Sequence, residues 1–142
     1  MKRAKAREQA FILVFEKSFN DGELSELIDF AVENCDWETD SFMTELAQST
    51  LEHLDLVDGV IERYCVGWKK NRIPRVSLSI MRVACNEIMF MPDIPVGVSI
   101  DEAVELAKIY GNEKDASYVN GVLSTIAKKL EGAKNETESE NA

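Results

Sequence analysis

Residues 73–91 read IPRVSLSIMRVACNEIMFM. Pro74 suits the first turn of a helix, because its missing N–H has no partner to lose there. From Val76 to Met91 apolar side chains fall on almost every face, which predicts a helix buried at the centre of a bundle. The few polar positions, Arg75, Ser79, Arg82 and Asn86, are spaced by four, three and four residues. At 3.6 residues per turn they form one stripe, expected to be the only solvated side of this helix.

Outward from this segment the pattern stays helical, with no run of alternation and β-branched residues long enough for a strand. A first helix is predicted from about Arg3 to Phe19, with Phe11, Phe15 and Phe19 at i, i+4 and i+8 and Asp21-Gly22 ending it. A second runs from about Leu24 to Asn34. A third stretch begins after Asp40, a suitable N-cap, and continues to about Trp68; its length predicts a break between His53 and Gly59. Pro92 and Pro95 close the central helix. Ser99-Ile-Asp-Glu102 fits a capping box for a sixth helix that ends at Gly111. A last helix is predicted from about Asp115 to Leu130, with Gly121 allowing close approach of a neighbour. These elements make an all-α bundle. Residues 1–131 are expected to form one domain, and residues 132–142 a disordered acidic tail without the apolar side chains needed to order it.

The chain has 142 residues, 16 basic and 26 acidic, for a net charge of −10. That average field repels polyanions, but the distribution is uneven. Residues 1–7 carry Lys2, Arg3, Lys5 and Arg7 with no acid. Residues 63–86 carry Arg63, Lys69, Lys70, Arg72, Arg75 and Arg82, again with no acid, leaving six basic residues against all 26 acids elsewhere. Two basic islands in an acidic protein predict one surface for a polyanion and another for a basic partner. The first island opens a helix and can follow a single-stranded backbone. Near the start of the last helix, free amides and Lys114 could hold phosphate while Tyr118 stacks a base.

Catalysis finds no support. His53 is the only histidine and stands beside Glu52 and Asp55 without a nucleophile motif. Carboxylate pairs such as Asp55 with Asp58 read as solvated helix faces, and the glycines make no phosphate-cradling loop. Cys35, Cys65 and Cys85 have neither metal-ligand spacing nor an even count and are expected to be reduced packing groups. No metal or cofactor is expected. The apolar stretch Ala10 to Phe15 is too short to span a membrane, so the chain is expected in the cytoplasm.

Three blocks together carry a resemblance: Pro74-Arg75-Val76 with Ile80-Met81-Arg82 and Glu87-Ile88; Ile94-Pro95 with Val98 and Asp101 to Lys108; and Val119-Asn120-Gly121-Val122-Leu123. In this order they resemble the NusB family of bacterial transcription antitermination factors, over about Arg72 to Ile126. The resemblance implies a non-enzymatic bundle of about seven helices in two three-helix subdomains. It implies binding of single-stranded boxA RNA in ribosomal RNA leader transcripts, together with the ribosomal protein NusE, within an antitermination complex on RNA polymerase. By the same resemblance Lys2, Arg3, Lys5 and Arg7 match the RNA-binding opening and Tyr118 an RNA-facing aromatic; Arg75, Arg82 and Lys114 are added as further RNA contacts from the charge pattern. Phe15 and Ser77 match positions that meet the ribosomal protein. Ser77 stands where the family often carries an acid, and Lys114 where an acid is common. Two matters stay open at this point: a protein-binding module that docks a basic ribosomal protein without touching RNA, and self-association into a homodimer.

Overall fold

The computed structural model describes residues 1–65 and 72–141, the last ten of these as backbone. It contains seven helices among the described residues: α1 (Arg3–Lys17), α2 (Leu24–Asn34), α3 (Ser41–Glu52), α4 (Leu54–Tyr64), α5 (Arg75–Phe90), α6 (Val96–Tyr110) and α7 (Glu113–Asn141). Trp68, Lys69 and Lys70 lie outside the described residues.

Local chemistry sets several boundaries. Asp40 caps α3, its carboxylate accepting from the Met43 amide at 2.8 Å, one of the donors that a helix start leaves unpaired. The expected break falls on His53, which ends α3 and begins α4 with φ −100° and ψ 16°. Its ring stacks on Phe90 at 3.7 Å and 14°, so the corner between the two helices rests on the end of α5. α6 starts at Val96, three residues before the predicted capping box. The Pro95 carbonyl accepts from Val98 and Ser99, which leaves Ser99 inside the helix, 1% exposed, with its hydroxyl turned to Glu87. Asn112 and Asp115 cap α7 reciprocally: the Asp115 amide donates to Asn112 Oδ1 at 2.9 Å and the Asn112 amide to Asp115 Oδ2 at 3.1 Å. The helical backbone of α7 continues past Leu130 to Asn141.

α5 is the spine of the bundle. α1, α3, α4, α6 and α7 all pack on it, α1 and α3 lie against each other, α6 against α7, and α2 attaches through α1. Phe11, Leu13 and Val14 of α1 meet Met43 and Leu46 of α3, Val57 and Ile61 of α4, Ile80 and Met81 of α5, and Val119, Leu123 and Ile126 of α7 in one continuous core. Fully burying each such side chain contributes about 1.5–3 kcal/mol before conformational entropy is charged against it. Cys65 and Cys85 are buried in this core while Cys35 is exposed; all three are free thiols, and burial pushes the Cys85 thiol up to about 12.

The polar stripe of α5 corrects the expectation drawn from its spacing. Ser79 and Asn86 are fully buried, and Arg82 makes a two-pronged pair with Asp58 of α4, Nε to Oδ1 at 2.7 Å and Nη2 to Oδ2 at 2.8 Å. Asn86 donates to Ser49 at 3.0 Å and its carbonyl oxygen lies 3.1 Å from His53 Nδ1. From Ser79 to Asn86 the stripe faces neighbouring helices, while its first member, Arg75, is exposed. The partners of Arg82 and Asn86 come from other helices, as buried polar groups require, whereas the Ser79 hydroxyl meets no hydrogen-bonding group among the described residues. Asp58 is accordingly not part of a solvated carboxylate face.

Candidate nucleic-acid interface

α1 begins without a side-chain cap and without an acid in its first turn. Lys2, Arg3 and Lys5 are exposed there. A helix start already carries a partial positive charge from its unpaired amides, so adding cations to it is unfavourable until an anion arrives. Arg3 lies with its guanidinium 3.9 Å from the centre of the Phe42 ring, which holds the side chain against α3. Lys5 pairs with Glu8 at 3.0 Å on the surface, and this hydrogen bond raises the lysine above its usual value. An exposed pair of this kind exchanges readily for a phosphate.

Arg7 does not belong with these three. It is 5% exposed, and its Nε donates to the buried carboxylate of Glu87 at 2.9 Å. Its charge is neutralised within the bundle, which removes it from the surface that RNA would meet. Arg82 is withdrawn in the same way by Asp58. Arg75 is exposed, but its Nη1 donates to the Ser18 carbonyl at 3.0 Å and its guanidinium lies 4.5 Å from the Phe19 ring. That places Arg75 at the far end of α1, away from the helix start.

Lys114 and Tyr118 come together in a groove of about 600 Å³, shared with Tyr64, Gly121 and Thr125. Tyr118 is half-buried, and burial is the first cause that raises its phenol, followed by the Cys65 thiol against it. Gly121 is not needed for a close helix approach among the described residues, since a Cβ there would meet none of them within 4 Å. Of the amides at this helix start, those of Asn112 and Asp115 are already engaged by their reciprocal cap. Glu113 and Asp115 also place two acids in the first turn. This end of the molecule therefore offers Lys114 and aromatic faces rather than an anion cradle. Sequence reasoning missed Tyr64, and Arg63, whose guanidinium lies 5.6 Å from the Tyr64 ring. The start of the second basic island at Arg63 was the available signal.

Phe15 is half-buried and continues into an aromatic strip, with Phe11 at 6.4 Å and Phe19 at 5.1 Å between ring centres. Phe19 is 63% exposed and ends the strip beside Arg75. Ser77, expected on the same partner surface, is 4% exposed and cannot form such a contact; it lies on the inward side of the first turn of α5. No cluster of His, Cys, Asp and Glu suited to a metal occurs among the described residues. None of the described helices is long and apolar enough to cross a membrane.

The profile of the NusB family matches residues 4–128. The transcription antitermination protein NusB of Bacillus licheniformis is 41% identical over 131 residues, covering 92% of this chain and all of the relative. That of Bacillus subtilis is also 41% identical, covering 92% of this chain and 98% of the relative. T. maritima NusB superposes with a TM-score of 0.79 at 32% identity, covering 90% of this chain and 92% of that one. A NusB chain from a complex of the antitermination factors NusB and NusE with double-stranded RNA superposes with a TM-score of 0.80 at 26% identity, covering 91% and 99%. With its spine helix, its seven-helix order and a match over nearly its whole length, the chain belongs to the NusB family.

Proposed function

We propose that this protein is an RNA-binding transcription antitermination factor, which binds boxA RNA of ribosomal RNA leader transcripts together with NusE. The observation that carries this reading is the start of α1, where three exposed cations stand on an uncapped, acid-free helix end. Such an end gains most from phosphate. Tyr118 and Tyr64, with Lys114 beside them, supply faces on which unstacked bases can lie. The strip from Phe15 to Phe19, bordered by Arg75, is the surface for NusE. In this reading the protein catalyses nothing, acts in the cytoplasm where nascent transcripts are made, and uses residues 1–131 as one domain with 132–142 as an appended tail.

A docking module that never touches RNA draws support from the charge of −10 and from the arginines spent inside the bundle. Titrating labelled single-stranded boxA RNA with the protein alone, and then with NusE present, separates the two. Direct binding that NusE strengthens is expected, with crosslinks to α1. Crosslinks confined to NusE would overturn the RNA assignment and leave the docking module.

A further inference from the structure

The first two turns of α1 bury little that could hold them in one orientation. Before Phe11, the buried residues are Ala6, Arg7, Gln9 and Ala10. Two alanines give a smooth surface without the ridges that normally fix how a helix is rotated against its neighbours. The long buried side chain with a directional anchor is Arg7, which bonds Glu87 of α5 at 2.9 Å with 6% and 1% of the two side chains exposed. Ser99 of α6 donates to the same carboxylate oxygen at 3.3 Å. Three helices thus meet at one atom, beside a void of only about 10 Å³ walled by Ile80, Val83 and Leu106.

We propose that Glu87 is a positioning residue for RNA recognition: by holding Arg7 it fixes the orientation of the first two turns of α1, ahead of the core contacts of Phe11, Leu13 and Val14 that set the rest of the helix, and with it the places where Lys2, Arg3 and Lys5 meet phosphate. This rests on the RNA reading above. A buried charge pair adds little stability over apolar residues of the same size, but its bond is directional, and fixing a register is the best-attested use of such pairs. The lever is large enough to matter. With side chains a helix is about 5–6 Å in radius, so a turn of about 30° moves a cationic head group by about 3 Å, the length of the contact it would make. Arg3 lies one turn from Arg7, and the two guanidinium groups approach the Phe42 ring at 3.9 and 5.4 Å, so a loosened Arg7 also frees the cation nearest it.

The test uses the full chain and three variants, read by melting temperature, by affinity for single-stranded boxA RNA across salt concentrations, and by affinity for NusE. Arg7→Met with Glu87→Leu replaces the pair by apolar side chains. It should melt close to the wild type and bind NusE unchanged, yet lose RNA affinity by about ten-fold or more, as misplaced charge contacts do. Glu87→Gln keeps an acceptor for Arg7 and should retain wild-type RNA affinity. Glu87→Asp keeps the charge but draws the carboxylate back by about 1.5 Å, and should weaken RNA binding while leaving NusE binding intact; it decides the matter if the double variant does not fold. RNA affinity unchanged in the double variant, or in Glu87→Asp should the double variant not fold, would show a purely structural pair and overturn the proposal. Neutralising Lys2, Arg3 and Lys5 without effect would instead sink the underlying RNA assignment, a separately visible result.

Discussion

Residues 1–7 and 63–86 are both runs of cations without an acid, and the fold uses them differently. In the first, Lys2, Arg3 and Lys5 stand exposed on a helix end that no side chain among the described residues caps. In the second, Arg82 is locked to Asp58, and Arg75 is tied to Ser18 and Phe19. Arg7 shows the same division within one island, since it is buried against Glu87 one turn after an exposed Arg3. A cation near others in sequence is available to phosphate only if no buried acid claims it in the fold; the exposed Lys5–Glu8 pair does not withdraw its lysine. Two helix starts repeat the lesson. That of α1 has no side-chain cap, whereas that of α7 is capped by Asn112 and Asp115 and carries acids in its first turn.

The sharpest way to break this contrast is to take the inner arginine away. Arg82→Ala removes the two-pronged partner of Asp58 in a mostly buried site, with each side chain 12% exposed, and should cost about 3 kcal/mol in urea unfolding. The folded fraction should bind RNA as before; a stable variant with weakened RNA binding would make Arg82 an RNA contact after all. Next in size is the outer set. Changing Lys2, Arg3 and Lys5 together to Gln should weaken RNA binding on the order of a hundred-fold at moderate salt. The melting temperature should hold or rise, since like charge at a helix start is relieved.

Smaller again is the cap of α7. Asn112→Ala should lower stability by about 1 kcal/mol, and RNA affinity should stay nearly constant if the amides there bind no phosphate; a clear loss would restore the anion site to α7. The smallest effect is on pH dependence. Burial pushes the Glu87 carboxyl above its ordinary 4.5, against the pull of Arg7 and Ser99 and with Glu102 adding to the rise. The folded protein therefore takes up this proton before the unfolded chain does. Stability of the wild type relative to Glu87→Gln should rise as pH falls through the raised value toward 4.5, and stay level below that. A difference that shrinks with acidification would reverse the sign assigned to Glu87.

Much of the fold was legible because the signals are local. The Asp40 cap, the break at His53 and the stop at Gly111 depend on a few neighbouring residues, and the structure places each where the sequence does. The α5 stripe was misjudged because a 3.6-residue period marks which residues share a face, not what the face meets. A polar row that finds Asp58, Ser49 and His53 on other helices looks identical in sequence to one that finds water. Ser99 failed for the same reason, since its partner is twelve residues away on α5. For the candidate site, the type of chemistry was readable from charge and aromatics. Which arginine remained free was not, because Arg7 meets Glu87 across 80 residues.

The measurement that bears most directly on the outer cations is the salt dependence of RNA affinity, compared between the wild type and the variant with Lys2, Arg3 and Lys5 changed to Gln. If those three side chains neutralise three phosphates of a single strand, the slope of log affinity against log salt should become shallower by about 2 in the variant. An unchanged slope would contradict the account, because the counterions released on binding would then be displaced by charges elsewhere in the protein.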